Sequence, residues 1–347
     1  MDEFYSKARN HYQQQLPFVL YCKPGSSVIN GFLQQDDQLF QTVDFHEVGF
    51  VFVSFDRSRN ILIPENKSEI ITVNKATIYY EDTLLSKYYD NDSKVQFEKL
   101  VSKGINAVNQ KILSKVVLSR MEVIEINAFD FILTFEKLAS AYPTAFCYCF
   151  FHPKVGMWFG ATPEQLLKIE DRKFSTTALA GTQQFNDVEN VIWESKEKVE
   201  QQIVTDFIME NLENIASDVA MSNPYTYRAG NLLHIKTDIE GSFDSSSSLK
   251  QVIDILHPTP AVCGLPKETA TAFILENEGY DRSFYTGFLG ELNLQHQTNL
   301  FVNLRCMEIK QKNAHLYMGC GVTKDSDPER EFEETVSKSM TMKKILF

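Results

Sequence analysis

An α+β fold is the expectation for this chain, and it rests on three observations. β-rich runs follow one another with helices interspersed and little strict strand–helix alternation, which favours an α+β sheet architecture over a doubly wound parallel one. Neither Gly-x-x-x-x-Gly-Lys nor Gly-x-Gly-x-x-Gly occurs, so the nucleotide-binding turns of α/β folds are missing. The 347 residues, 43% of them hydrophobic and 26 of them Phe, supply a sizeable core. Length alone fits about two domains or one large one.

Taken in order, the chain opens with a polar helix over 2–14, followed by strands over 16–22 and 48–55. A helical period over 93–111 leads into a long β-rich run at 112–124. On that run Lys115 shares a face with Leu113, Val117, Met121 and Val123, while Arg120 points the other way. A charged lysine in an apolar row is costly, so its pKa falls unless a carboxylate meets it, and a lowered pKa suits a general base. The alternative is a lysine that snorkels to the sheet edge.

A helix at 129–141 precedes strands at 145–151 and 156–160. Thr162-Pro163-Glu164 then reads as the start of another helix, with Thr162 as cap, Pro163 in the first turn and Glu164 beside the positive helix end. The strand 174–183 breaks at Gly181, whose missing side chain would expose backbone amides to an anion. Next comes a helix over 191–208 carrying Glu197 and Glu200. Glu200 falls between Val204 and Phe207 on the helical wheel, inside the apolar arc. A carboxylate facing the core must be paired or bound to a cation.

After a strand over 231–241, two prolines flank Thr259 in the stretch 256–267, fixing an extended segment that offers His257 and Thr259 as polar groups. Strands over 284–293 and 299–309 follow, the second with Arg305 on the face of Phe301, Asn303 and Met307, where a guanidinium can fork a carboxylate. The last strand ends in Gly319-Cys320-Gly321, and Asp327-Pro328 opens a helix. On it Glu331, Glu334 and Lys338 fall within roughly 60° of one face. This pair alone is compatible with a solvated face and an ion pair from Glu334 to Lys338. Two carboxylate pairs that converge are another matter. Each close repulsion costs about 4 kcal/mol at an effective dielectric near 20, and an oxygen-preferring dication, Mg²⁺ before Ca²⁺, would relieve it.

Composition narrows the partners. A net charge of −12 argues against nucleic acid and against an anionic membrane surface. The opening ten residues lack an apolar signal core, and no run of 18 apolar residues occurs, so a cytoplasmic protein is expected. The six cysteines, at 22, 147, 149, 263, 306 and 320, show no zinc-like spacing and read as buried free thiols.

Seven motifs, in order, carry a resemblance: Lys115-Val-Val-Leu-Ser-Arg, Phe159-Gly-Ala-Thr-Pro-Glu, Leu179-Ala-Gly-Thr, His257-Pro-Thr-Pro-Ala-Val-Cys-Gly-Leu-Pro, Tyr285-Thr-Gly-Phe-Leu-Gly, Val302-Asn-Leu-Arg, and Gly319-Cys-Gly-Val with Asp325-Ser-Asp-Pro-Glu-Arg-Glu-Phe-Glu-Glu-Thr. Over 95–347 the chain resembles the chorismate-utilising enzymes, and within them the isochorismate synthases. Residues 1–94 match only loosely and are expected to belong to the same domain. The resemblance implies one large domain of two stacked, mainly antiparallel sheets flanked by helices. It implies Mg²⁺ on Glu200 and Glu334, supported by Glu197 and Glu331. It also implies chorismate held through Ala180, Gly181, Thr182, Gly319, Gly321 and Lys338, with Tyr285 and Arg305 on the pyruvyl carboxylate and His257 and Thr259 lining the ring pocket. Lys115 would be the base that activates water for attack at C2, and Glu164 the acid that protonates the departing C4 hydroxyl. The product would serve menaquinone or siderophore formation.

One motif departs from the family. Lys196-Glu-Lys-Val-Glu-Gln has Lys198 where arginine is usual and Gln201 where histidine is usual, although its carboxylates are kept. Ala180 stands where the similar aminodeoxychorismate synthases place an attacking lysine. Anthranilate synthase large subunits resemble the chain too, but their tryptophan-sensing motif is not found in 1–60, and no amidotransferase subunit is expected. Salicylate synthases, which add pyruvate elimination, are the nearest rival reading; a non-catalytic chorismate-binding protein is the other. A monomer is expected.

Overall fold

Hydrophobic alternation and buried aromatic runs build two large sheets, seen in a computed structural model that describes residues 2–75, 89–185, 191–229, 232–244 and 247–347. The first third contributes α1 (Asp2–Gln13), β1 (Phe18–Cys22), β2 (Val28–Gln34), β3 (Phe40–Gln41), β4 (Gly49–Val53), β5 (Asn60–Pro64), β6 (Ser68–Asn74) and α2 (Asn91–Asn109). The middle holds β7 (Lys115–Glu125), α3 (Phe131–Ala141), β8 (Phe146–His152), β9 (Gly156–Thr162), β10 (Gln165–Glu170), β11 (Lys173–Gln184), α4 (Ser195–Leu212), β12 (Ala216–Met221) and β13 (Tyr225–Ala229). Then follow β14 (Leu232–Phe243), α5 (Leu249–Leu256), β15 (Gly264–Leu265), α6 (Lys267–Asn277), β16 (Phe288–Leu294), β17 (Gln297–Val302), β18 (Cys306–Lys310), β19 (Asn313–Val322) and α7 (Pro328–Leu346).

Among the described residues one sheet runs β15-β7-β19-β18-β9-β8-β1-β2-β6, and the other runs β12-β14-β11-β10-β17-β16-β4-β5-β3 with β13 also on β14. Neighbouring strands such as β1 and β8, β7 and β19, or β11 and β14 pair antiparallel. Both sheets draw strands from the first 74 residues and from the rest, so neither part of the chain has a sheet of its own.

Aromatic side chains fill the space between the sheets. Phe146 of the first sheet stacks on Phe301 of the second at 4.4 Å, and Phe150 lies 4.7 Å from Phe52. Such pairs add about 0.5–1.5 kcal/mol each beyond area burial. The outer faces are covered by helices: α1 and α3 on the first sheet, α4 and α5 on the second, and α2 and α6 over β7 and β19. All six cysteines are buried and free, and among the described residues no helix is long and apolar enough to cross a membrane.

Several sequence expectations need correction. No helix starts at Thr162: that residue closes β9 opposite Phe146, and Gln165 already begins β10 opposite Phe301. Pro163 and Glu164 are the crossing from one sheet to the other, and the Thr-Pro-Glu pattern only imitates a helix start. The strand expected over 299–309 is two strands, since Val302 ends β17 in the second sheet and Cys306 begins β18 in the first. Arg305 turns that corner with a φ of +47°. The strand expected from 284 begins at Phe288, and the acidic helix begins at Ser195, not at 191. Asn231 lies outside the described residues, and β14 starts at Leu232.

Candidate active site

The two sheet crossings lie side by side and carry the site. Val302 N–H donates to Glu164 O at 3.0 Å, and Ala161 N–H donates to Arg305 O at 3.0 Å, so each corner clamps the other. Asn303 locks the second corner, accepting from the Tyr148 hydroxyl at 2.7 Å and donating to Phe284 O at 2.9 Å. Glu164 and Arg305 therefore enter one cleft from rigid backbone. Glu164, Ala180, Gly181, Thr182, Glu200, Tyr285, Arg305, Gly319, Gly321, Glu334 and Lys338 all line it.

Charge in the cleft is divided unevenly. Glu164 is 4% exposed. Burial pushes its carboxyl up to about 8, against the pull of Lys115, Lys338 and Arg305. Around neutrality it holds its proton. Lys115, at the start of β7, is fully buried, and a carboxylate does meet it: Nζ lies 3.0 Å from Glu200 Oε1. Among the described residues the Nζ makes no hydrogen bond, so the contact is an ion pair alone. Burial works to raise the Glu200 carboxyl, but Lys115, Lys196 and Lys338 outweigh it and hold the group below its usual range.

Two glycines make the approach possible. Gly181 has a φ of +72°, and a Cβ there would meet Glu197 Cβ at 2.9 Å. The register between β11 and β14 shifts between Ala180 and Gln183, leaving Gly181 and Thr182 without a ladder partner in β14. At Gly321 a Cβ would run into the Glu200 carboxylate.

Outside the cleft lies a vestibule of about 720 Å³ between α4 and α7, lined among others by Lys196, Glu197, Glu331 and Glu334. Lys196 bonds Glu331 across it, so the two acidic helices face each other. Burial opposes the Lys196 charge, yet Glu331, Glu334 and Glu200 more than offset this and raise its pKa. Lys338 donates to Glu334 at 2.6 Å and to Gly319 O at 2.8 Å. Burial and the neighbouring Glu334 push Glu331 up to about 7 in spite of Lys196. Among the described residues no three His, Cys, Asp or Glu side chains already converge as a metal site, because three of the four glutamates each hold a lysine. No hydrogen-bond partner is found among the described residues, however, for the buried Glu197 Oε2 and Glu331 Oε2. Orphaned carboxylate oxygens on facing helices are a donor set that fits a hard dication.

His257 and Thr259 do not line the cleft. The His257 ring donates to Phe55 O at 3.2 Å and lies edge-on to Phe288, and burial drives its pKa down to about 3. Thr259 O accepts the Val262 and Cys263 N–H groups. Proline rigidity fixed the segment but not its facing, and Ala261 and Val262 reach the cleft instead.

A residue the sequence reading missed is His234 on β14. Its Nδ1–H donates to Gly181 O at 2.9 Å, and its Nε2 faces an Arg305 N–H at 3.3 Å. Burial, then Arg305 and Lys338, lowers its pKa to about 3, so it stays neutral and aims the guanidinium. The available signal was a lone histidine between Leu233 and Ile235 in an apolar strand.

Comparisons with known proteins agree on one family. A family profile described as "Chorismate binding enzyme" matches residues 55–347. The isochorismate synthase EntC of Escherichia coli K12 is 28% identical over 256 residues, 71% of this chain and 66% of that protein. The isochorismate synthase MenF of Bacillus subtilis is 28% identical over 280 residues, 76% of this chain and 58% of that one. These matches thus span less than two thirds of either relative. The solved structure of MenF, the menaquinone-specific isochorismate synthase from Escherichia coli, superposes with a TM-score of 0.80 at 21% identity, over 95% of this chain and 89% of that one, which shows the fold.

Proposed function

Because the chain belongs to the chorismate binding enzyme family, we propose that it is an isomerase that turns chorismate into isochorismate. The observation that carries this reading is Glu164: a carboxyl held protonated by burial in a cleft that it shares with Glu200, behind which the fully buried Lys115 lies 3.0 Å from the Glu200 carboxylate. A paired proton transfer requires one group to give a proton and another to take one.

In this reading a water molecule attacks C2 of chorismate and gives its proton to Lys115. The double bond shifts, and the C4 hydroxyl leaves as water after taking the Glu164 proton. One water is consumed and one released, so the reaction is an isomerisation. Glu200 meets Lys115 through Oε1, so turning that carboxylate toward a cation would take away the amine's carboxylate neighbour. Arg305, aimed by His234, and Tyr285 would bind the pyruvyl carboxylate. Lys338 and the backbone at Gly181 and Gly321 would face the ring carboxylate. Glu200 and Glu334, with Glu197 and Glu331 in support, would hold Mg²⁺, whose contribution is to anchor and polarise that carboxylate. Ala180 offers no side-chain nucleophile that would compete with water.

The deciding experiment incubates the purified protein with chorismate and MgCl₂, with and without EDTA, and identifies products by liquid chromatography and mass spectrometry. Isochorismate formed only with the metal is expected. Salicylate with pyruvate would reassign the protein as a salicylate synthase, and full conversion in EDTA would remove the metal from the proposal. Unchanged chorismate would overturn the reading.

A further inference from the structure

We infer that Arg282 and Glu278, neither of which lines the cleft, form a positioning pair that sets the substrate-binding wall around Tyr285. The inference rests on the proposed reaction and concerns how its site is held in shape. Their charged side chains are 2% and 1% exposed and meet at 2.5 Å. A buried ion pair is poor evidence of added stability, because desolvation consumes most of the attraction, so its presence calls for a different reason.

That reason is visible in where the hydrogen bonds go. All five guanidinium N–H groups are matched: Nε and one Nη2 proton to Glu278, the other Nη2 proton to Val117 O at 2.7 Å, and Nη1 to Val262 O at 2.9 Å and Thr286 Oγ1 at 3.2 Å. Glu278 Oε1 accepts both the Ser119 N–H at 2.7 Å and the Ser119 hydroxyl at 2.9 Å. On the side of β7 away from β19, the only strand paired among the described residues is β15, which covers just Lys115 and Val116. Beyond it Val117 O and Ser119 N–H are answered by Arg282 and Glu278, whose side chains continue the ladder where the neighbouring strand stops.

The same guanidinium spans three walls of the cleft. Val117 belongs to the lysine strand, Val262 to the loop before β15, and Thr286 follows Tyr285; all of them line the site. The Arg282 plane also lies 5.9 Å from the Tyr285 ring centroid and 4.7 Å from that of Phe55. Lysine at 282 would keep the charge but lose the fork that reaches all three walls.

The test measures steady-state kinetics of wild type, Arg282→Lys and Glu278→Gln with chorismate and Mg²⁺, alongside thermal melting. Wild-type turnover comes first, because an inactive wild type overturns the proposed reaction and this inference with it. Given turnover, a positioning role predicts that KM rises about tenfold or more in both variants while kcat stays within about threefold. A merely structural role lowers the active fraction, which depresses kcat and leaves KM unchanged; that result overturns the inference. Failure of both variants to fold would make the pair a stability element and overturn it as well.

Discussion

At the scale of single residues the proposal turns on two protons. Lys115→Ala is expected to lower turnover by at least about 10²–10⁴-fold while chorismate binding, followed by calorimetry, is largely kept; unchanged turnover would exclude Lys115 as the base. Glu164 must carry its proton to act as an acid. Its pKa is raised to about 8, so the protonated form persists through neutrality and is lost as pH climbs. The wild-type kcat/KM should therefore fall as pH rises through about 8. Glu164→Gln, which cannot give up a proton, should be slower by about 10²-fold or more and lack that alkaline limb. A profile whose alkaline limb is the same in both proteins would assign it to another group. Local pattern placed Glu164 at a helix start, because Thr162 and Pro163 look like one, and only the resemblance to the chorismate-utilising enzymes named it as the acid. The residue's burial arises from a crossing between sheets that no local pattern encodes. His234 was equally hidden, since one histidine in an apolar strand looks like core until Arg305, 71 positions away, is seen beside it.

At the scale of elements, what is periodic was legible. The helix after Asp327-Pro328 forms as its cap predicts, with Asp327 accepting from Arg330 N–H at 3.0 Å, and Glu200 turns inward as its wheel position requires. The strands β2, β3, β5 and β6 of the first third were not singled out, since they carry no chemistry, although β2 and β5 each pair with the strand just before them in the chain. The turn glycines were legible as small residues, but the need for one at 321 appears only with α4 in place. Gly321→Ala should push the Glu200 carboxylate aside. The expected outcome is at least about tenfold weaker Mg²⁺ binding by calorimetry, equivalent to about 1.4 kcal/mol. Equal affinity in variant and wild type would remove Glu200 from the proposed ligand set.

For the molecule as a whole, the two-layer arrangement depends on the aromatic fill between the sheets. Phe146 is fully buried and stacked on both Phe301 and Tyr21. Phe146→Ala should destabilise the protein by about 3–5 kcal/mol in denaturant titrations; a loss under about 1 kcal/mol would mean that the interior collapses around the gap. The α+β class was readable from the order of strands and helices, whereas the assignment of each strand to a layer was not, because the chain changes layers at Pro163-Glu164 and again at 303–305. Those two changes also clasp one another through reciprocal backbone bonds. The acid and the guanidinium are thus mounted on a single hinge pin: should one slab slide over the other, both travel together and their spacing survives. The acidic helices take no part in that clasp; they are held instead by side chains, to each other through Lys196 and Glu331 and to the strands through Lys115 with Glu200 and Lys338 with Gly319 O.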